Sequence, residues 1–168
     1  MTLAVLAAAA ALCAPAAWET RPEPMTASAS IVVRVHAPAD VAFPLFDPVN
    51  ETKWDPDWKP RLLGPRVEEG LVFLVGDGDD KSTWLIDRYE PAARSIGYVA
   101  VTASLVTRIH IVVVPDGARS VATVTYARTA LDGHGAKAVE HLAAHFGAQG
   151  PHWEAAINGY LDAAKPGS

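Results

Sequence analysis

The chain has 168 residues, 50% of them hydrophobic and 20% charged, with a net charge of −5 and an isoelectric point of about 5.6. That length supports one globular domain with a real core. Lysine and arginine are scattered, without a basic run or aromatic–basic interleaving, so nucleic acid is not an expected partner.

Residues 1–24 are unlike the rest. LAVLAAAAALCAPAA is apolar and Ala-rich, and the Pro- and Glu-containing WETRPEP follows it. The run is too short for a comfortable membrane span. Two explanations fit. It reads as a secretory h-region with a cleavage signal at Ala14-Pro15-Ala16, although no Lys or Arg precedes it. Alternatively, translation starts at Met25, which opens MTASASIVVRVHAP. The first predicts export and the second a cytoplasmic protein. The single cysteine, Cys13, lies in this leader, so the domain expected over residues 25–168 carries no disulfide and no thiol chemistry.

Ser30 to His36 is Val-rich and predicts the first strand, ended by Pro38. Ala39 to Phe43 begins a short helix, with Asp40 near its positive end. Val41, Leu45 and Phe46 are spaced to face inward, and Pro44 limits regularity. Residues 49–53 predict one more turn. Trp54-Asp55-Pro56-Asp57-Trp58-Lys59-Pro60 cannot form a long helix. Its two tryptophans must find cover. Strands are expected at 61–66, 70–75, 82–89, 94–102, 105–114 and 120–131, with Pro115-Asp116-Gly117 as a turn. The short links make the sheet antiparallel.

Residues 134–165 close the chain. Val139, Leu142, Phe146, Trp153, Ile157, Tyr160 and Leu161 recur every three or four positions, as in a helix with one buried face. A helix after a run of strands needs a sheet to lie against. Gly147, Gly150 and Pro151 predict a joint between two helical pieces. The first piece, with Ala143 and Ala144, is less bulky and is the expected place for a ligand.

The motifs IVVRVHAPADVAFPLFDP, Trp54-Asp55-Pro56, Gly70 before VFLV, WLIDRYEPAARSIGY, VTYARTAL and WEAAINGYL occur in that order. In this the chain resembles the START/Bet v 1-like (SRPBCC) superfamily, the helix-grip proteins of polyketide cyclase/dehydrase and lipid transport type. The resemblance implies an α+β helix-grip fold. A curved antiparallel sheet of about seven strands would wrap a long C-terminal helix, with two short helices after strand 1 and an apolar cavity between sheet and helix. Such proteins bind lipids, sterols, polyketides or other hydrophobic molecules, and only some do chemistry, so fold alone does not give function.

Alternate residues of a strand share a face. That groups Val124, Tyr126 and Arg128; Trp84, Ile86 and Arg88; and Ile96, Tyr98 and Ala100. It sets Ile109, Ile111 and Val113 against Arg108 and His110. The expected cavity lining is Trp54, Phe73, Trp84, Tyr98, Tyr126, Phe146 and Trp153, in the manner of small-molecule pockets. Arg128 either meets a ligand carboxylate or phenolate there or reaches solvent at the rim. The alternative for Trp84, Tyr98 and Tyr126 is plain core.

His134, His141, His145 and His152 fall within roughly 40° of one another on an ideal helical wheel. Their stripe lies about 120° from the centre of the apolar face, which predicts a flank outside the cavity. His141 and His145 have spacing for one metal ion, but without further ligands an exposed pH-sensitive flank is the expectation. The loop Asp77-Gly78-Asp79-Asp80 lacks an EF-hand layout and reads as a hairpin. Asp55 and Asp57 are either acid–base groups at a cavity mouth or turn formers. No nucleophile is marked, and no cofactor is expected. The leading function is binding of a hydrophobic or amphipathic small molecule. The alternatives are a cyclase or dehydratase using Tyr98, Tyr126 and Arg128, and a partner-binding domain with a filled core.

Overall fold

The structure is a computed structural model that describes residues 23–78 and 81–164. The leader up to residue 22, the second half of the acidic loop and the chain end from residue 165 lie outside the described residues. Strands β1 (Thr26–Val35), β2 (Arg61–Leu62), β3 (Val72–Val75), β4 (Ser82–Glu90), β5 (Ser95–Val101), β6 (Leu105–Asp116) and β7 (Arg119–Ala130) form one sheet. Its order is β1-β7-β6-β5-β4-β3-β2, antiparallel throughout. Strands β2 to β7 thus meander, and β1 closes on β7.

Between β1 and β2, helix α1 (Ala39–Ala42) runs into a 3₁₀ turn at Phe43–Phe46, and a second 3₁₀ turn covers Asn50–Lys53. After β7 come α2 (Gly133–His145), a 3₁₀ turn (Phe146–Ala148) and α3 (Gln149–Ala163). This is the helix-grip α+β architecture that the resemblance implies. The helices meet at a 3₁₀ turn, and Pro151 lies in the first turn of α3, where its missing N–H is tolerated.

The sheet has one apolar face because its strands alternate. On β6, Thr107, Ile109, Ile111 and Val113 are buried while Arg108 and His110 face out. Tyr126 and Val124 of β7 lie opposite Ile109 and Ile111. On β4 the alternation breaks. A bulge at Asp87 shifts the register between Ile86 and Arg88. Beyond it Tyr89 turns inward, stacking on Phe43 at 6.1 Å, and Arg88 is exposed. Arg88 therefore does not share the face of Trp84 and Ile86, as simple alternation predicts.

Three other expectations change. The strand at 61–66 is only two residues long. Strand β6 keeps Pro115 and Asp116, so the turn is Gly117-Ala118. Gly117 at φ 60 supplies the left-handed position that a two-residue hairpin demands. Val41 is 52% exposed, while Phe43 is buried beside Leu45 and Phe46. The switch from α to 3₁₀ pitch at Phe43 re-aims that face.

Helices α2 and α3 pack on β7 and β1, at one side of the concave face. The Asp132 carboxylate caps α2 by accepting from the backbone N–H of His134 and Gly135, both at 2.9 Å. Gly135 lies so close to the Ser104 carbonyl that a side chain has no room. Helix α3 runs along the edge strand β1. Glu154 accepts from Arg34 N (2.9 Å), while Asn158 accepts from His36 N (2.7 Å) and donates to Arg34 O (2.8 Å). These side chains occupy backbone groups that an open edge would present to another strand.

Candidate ligand-binding cleft

The concave face has two halves. Over β3–β5 it is filled by the segment after β1. Trp58, Phe73, Trp84 and Tyr98 form one aromatic cluster, with ring centroids 5.3–6.1 Å apart. Their polar tips are all engaged. The Trp58 indole donates to Pro48 O at 2.9 Å and Trp84 to the Ser82 hydroxyl at 2.8 Å. The Tyr98 hydroxyl donates to Phe46 O at 2.7 Å. Trp54 does the same to Leu45 O at 2.7 Å.

On the helix side an open cleft of about 210 Å³ lies between β7 and the α2–α3 joint. Tyr126 and Arg128 line it from the sheet, and His141, Leu142, His145, Phe146, Gln149 and Trp153 from the helices. Tyr126 and Phe146 rings are 4.5 Å apart. Trp153 also meets Trp54, at 5.4 Å, which joins the two halves. His141 and His145 rings are 4.6 Å apart, one helical turn from each other.

Here polar groups lack partners. Arg128 Nη1 donates to Ala138 O of α2 at 3.0 Å. Its Nε is buried without a hydrogen-bond partner among the described residues. Arg128 as a whole is half-buried. The Tyr126 hydroxyl has no described protein partner either. Burial pushes its pKa up, and the carboxyl of Glu51 adds to the rise while Arg128 opposes it. Tyr98 is raised too, by burial first and then by Glu51. Neither phenol is therefore poised to act as a base near neutrality.

Glu51 is the residue that sequence reasoning missed. It sits on the Asn50–Lys53 turn, half-buried, and acts electrostatically on both Tyr98 and Tyr126. Burial, then Asp55 and Asp47, push its pKa well above the usual carboxylate range. Nothing in the polar run Asn50-Glu51-Thr52-Lys53 signals this.

Of the eight expected site residues, Tyr126, Arg128, Phe146 and Trp153 come together on the cleft wall. Trp54 backs Trp153, whereas Phe73, Trp84 and Tyr98 belong to the packed cluster. His141 and His145 are exposed, as expected of a flank, but they also line the cleft beside Leu142, Phe146 and Trp153 of the apolar face, so the flank becomes part of the wall. Asp55 accepts from Asp57 N at 3.0 Å, the work of a turn former. Among the described residues no three metal-ligating side chains gather, and no helix is long and apolar enough to cross a membrane.

No family model and no curated protein matches the sequence. Solved structures do. Norcoclaurine synthase from Thalictrum flavum, in complex with dopamine and hydroxybenzaldehyde, is similar over 86% of this chain and 91% of its own. Identity is 16% and the TM-score 0.64. The Zhui aromatase/cyclase from Streptomyces sp. R1128 matches 82% of this chain and 94% of its own, at 20% identity and TM-score 0.61. Major latex-like protein 151 from Panax ginseng matches 82% and 96%, at 13% identity and TM-score 0.61. Likenesses at such identities show the fold. The chain has the Bet v 1-like helix-grip fold.

Proposed function

We propose that this Bet v 1-like domain binds a small hydrophobic or amphipathic molecule in the cleft between β7 and the α2–α3 joint. The carrying observation is the contrast in polar satisfaction. The aromatic tips beside β3–β5 have protein partners, while Arg128 Nε at the cleft is buried and has none among the described residues. Buried polar groups are normally paired, so an unpaired one beside an open cleft is one a ligand would satisfy. An apolar cavity of about 150 Å³ accommodates benzene, so about 210 Å³ suits a molecule of one or two rings. A protein of the same fold holds two small aromatic molecules. Burial of apolar surface would supply most of the affinity. The open cleft favours this reading over a partner-binding domain with a filled core.

The test is native mass spectrometry of the full chain purified without detergent, with displacement of a hydrophobic dye as the second readout. A retained small molecule, or dye binding lost on Phe146→Ala, supports the assignment. Neither a retained molecule nor dye binding overturns it.

A further inference from the structure

Resting on the binding reading above, we infer that the cleft selects anions: its ligand is a small aromatic acid whose carboxylate meets the free edge of Arg128. Arginine presents two forks of parallel N–H groups to a carboxylate. In Arg128 the Nη1 end is spent on the Ala138 carbonyl. The other edge, Nε with Nη2, has no protein acceptor among the described residues, and its Nε is buried. A desolvated guanidinium N–H without an acceptor is costly unless something fills it.

Nothing described in the protein supplies that acceptor. No Asp or Glu lines the cleft, and Arg128 takes part in none of the described ion pairs. Glu51 acts on neighbouring Tyr126, yet burial drives its carboxyl towards the neutral acid, so it is a poor counter-charge. Across the cleft, α2 adds two imidazoles, His141 and His145, which donate or accept hydrogen bonds and bring no negative charge. Phe146 and Trp153 supply flat apolar surface for a ring. The site therefore offers an aromatic slot with a cationic end, inside a protein whose net charge is −5. An acid is selected because it alone fills both the slot and the fork. A neutral alcohol fills the slot and leaves the fork empty, and an amine adds repulsion.

The probes are 2-naphthoate, 2-naphthalenemethanol and 2-naphthylmethylamine, titrated calorimetrically into the full chain at pH 8 in chelator. The naphthoate should bind at least tenfold tighter than the alcohol, and the amine weakest. Arg128→Gln should bring the naphthoate down to the alcohol's affinity. Arg108→Gln removes the same charge from the opposite face of the sheet and should keep the preference. If Arg128→Gln does not fold, Arg128→Lys retains the charge without the fork and should keep only part of it. Equal binding of acid and alcohol, or a preference that survives at Arg128→Gln, overturns the anion assignment and leaves the cleft reading standing. No binding by any of the three overturns both.

Discussion

The two halves of the concave face use similar residue types in opposite ways. Around Phe73, aromatic rings interlock and their polar tips are spent on the Phe43–Trp58 segment and Ser82. Around Phe146, an aromatic pair stands beside an open cleft with Arg128 Nε unpaired. A tyrosine sits in each half, both facing inward from alternate strands, yet only Tyr98 donates to the backbone. Residue type thus does not separate core from site here. Hydrogen-bond saturation does, because a saturated aromatic cluster has nothing left to offer a ligand.

The largest expected effect comes from cutting into each half. Phe73 is fully buried against three rings. Phe73→Ala should cost about 4 kcal/mol in urea unfolding, as large-to-small core changes do. Phe146→Ala, at the open cleft, should cost roughly half as much, since solvent can enter the space. Equal losses would mean that the two halves are packed alike, and the contrast would fail. A smaller effect comes from the phenols. Tyr98→Phe leaves the buried Phe46 carbonyl without its donor and should cost about 1–3 kcal/mol. Tyr126→Phe should lie within about 0.5 kcal/mol of the parent, because its hydroxyl has no described partner. A Tyr126→Phe loss matching that of Tyr98→Phe would show that its hydroxyl is also structural.

The sheet was legible because period-2 alternation is a property of the strand itself. Ile109, Ile111 and Val113 announce the buried face of β6 without outside help. The site was legible only in part, since it depends on which element covers which strand. Alternation puts Trp84, Tyr98 and Tyr126 on one face, and so they are. It cannot say that the Phe43–Trp58 segment fills the space above the first two while α2 and α3 leave room above the third. Arg88 was misplaced by a single extra residue at Asp87, which inverts everything after it. His141 and His145 were placed correctly on the helix flank, but the cleft is where that flank looks. Glu51 carries no periodic or compositional signal at all, and only tertiary burial distinguishes it from the exposed Thr52 and Lys53 beside it.

The pH dependence of stability sharpens the comparison most finely, because two carboxyls should pull it in opposite directions. Asp132 accepts from Gly135 N, the Ser104 hydroxyl and His134 N, which hold its pKa below the ordinary value. Its contribution is present above the unfolded aspartate pKa and is lost as pH falls through the depressed folded one. Glu51 is raised by burial, so the folded state holds its proton more tightly than the unfolded chain does. Its effect is therefore greatest stability at low pH, declining as pH rises from the ordinary glutamate range to the raised folded value, then level. Thr52 hydroxyl and Asp47 carboxylate bonds within the same turn do not involve the Glu51 side chain. Glu51→Gln should accordingly flatten the decline that begins in the ordinary glutamate range and stabilise the protein at neutral pH. Asp132→Asn should instead flatten the acid side and lower stability at neutral pH. Urea midpoints taken from pH 3 to pH 8 on the three proteins separate the effects. If Glu51→Gln follows the parent curve throughout, Glu51 is solvated and does not belong to the interior facing Tyr98 and Tyr126.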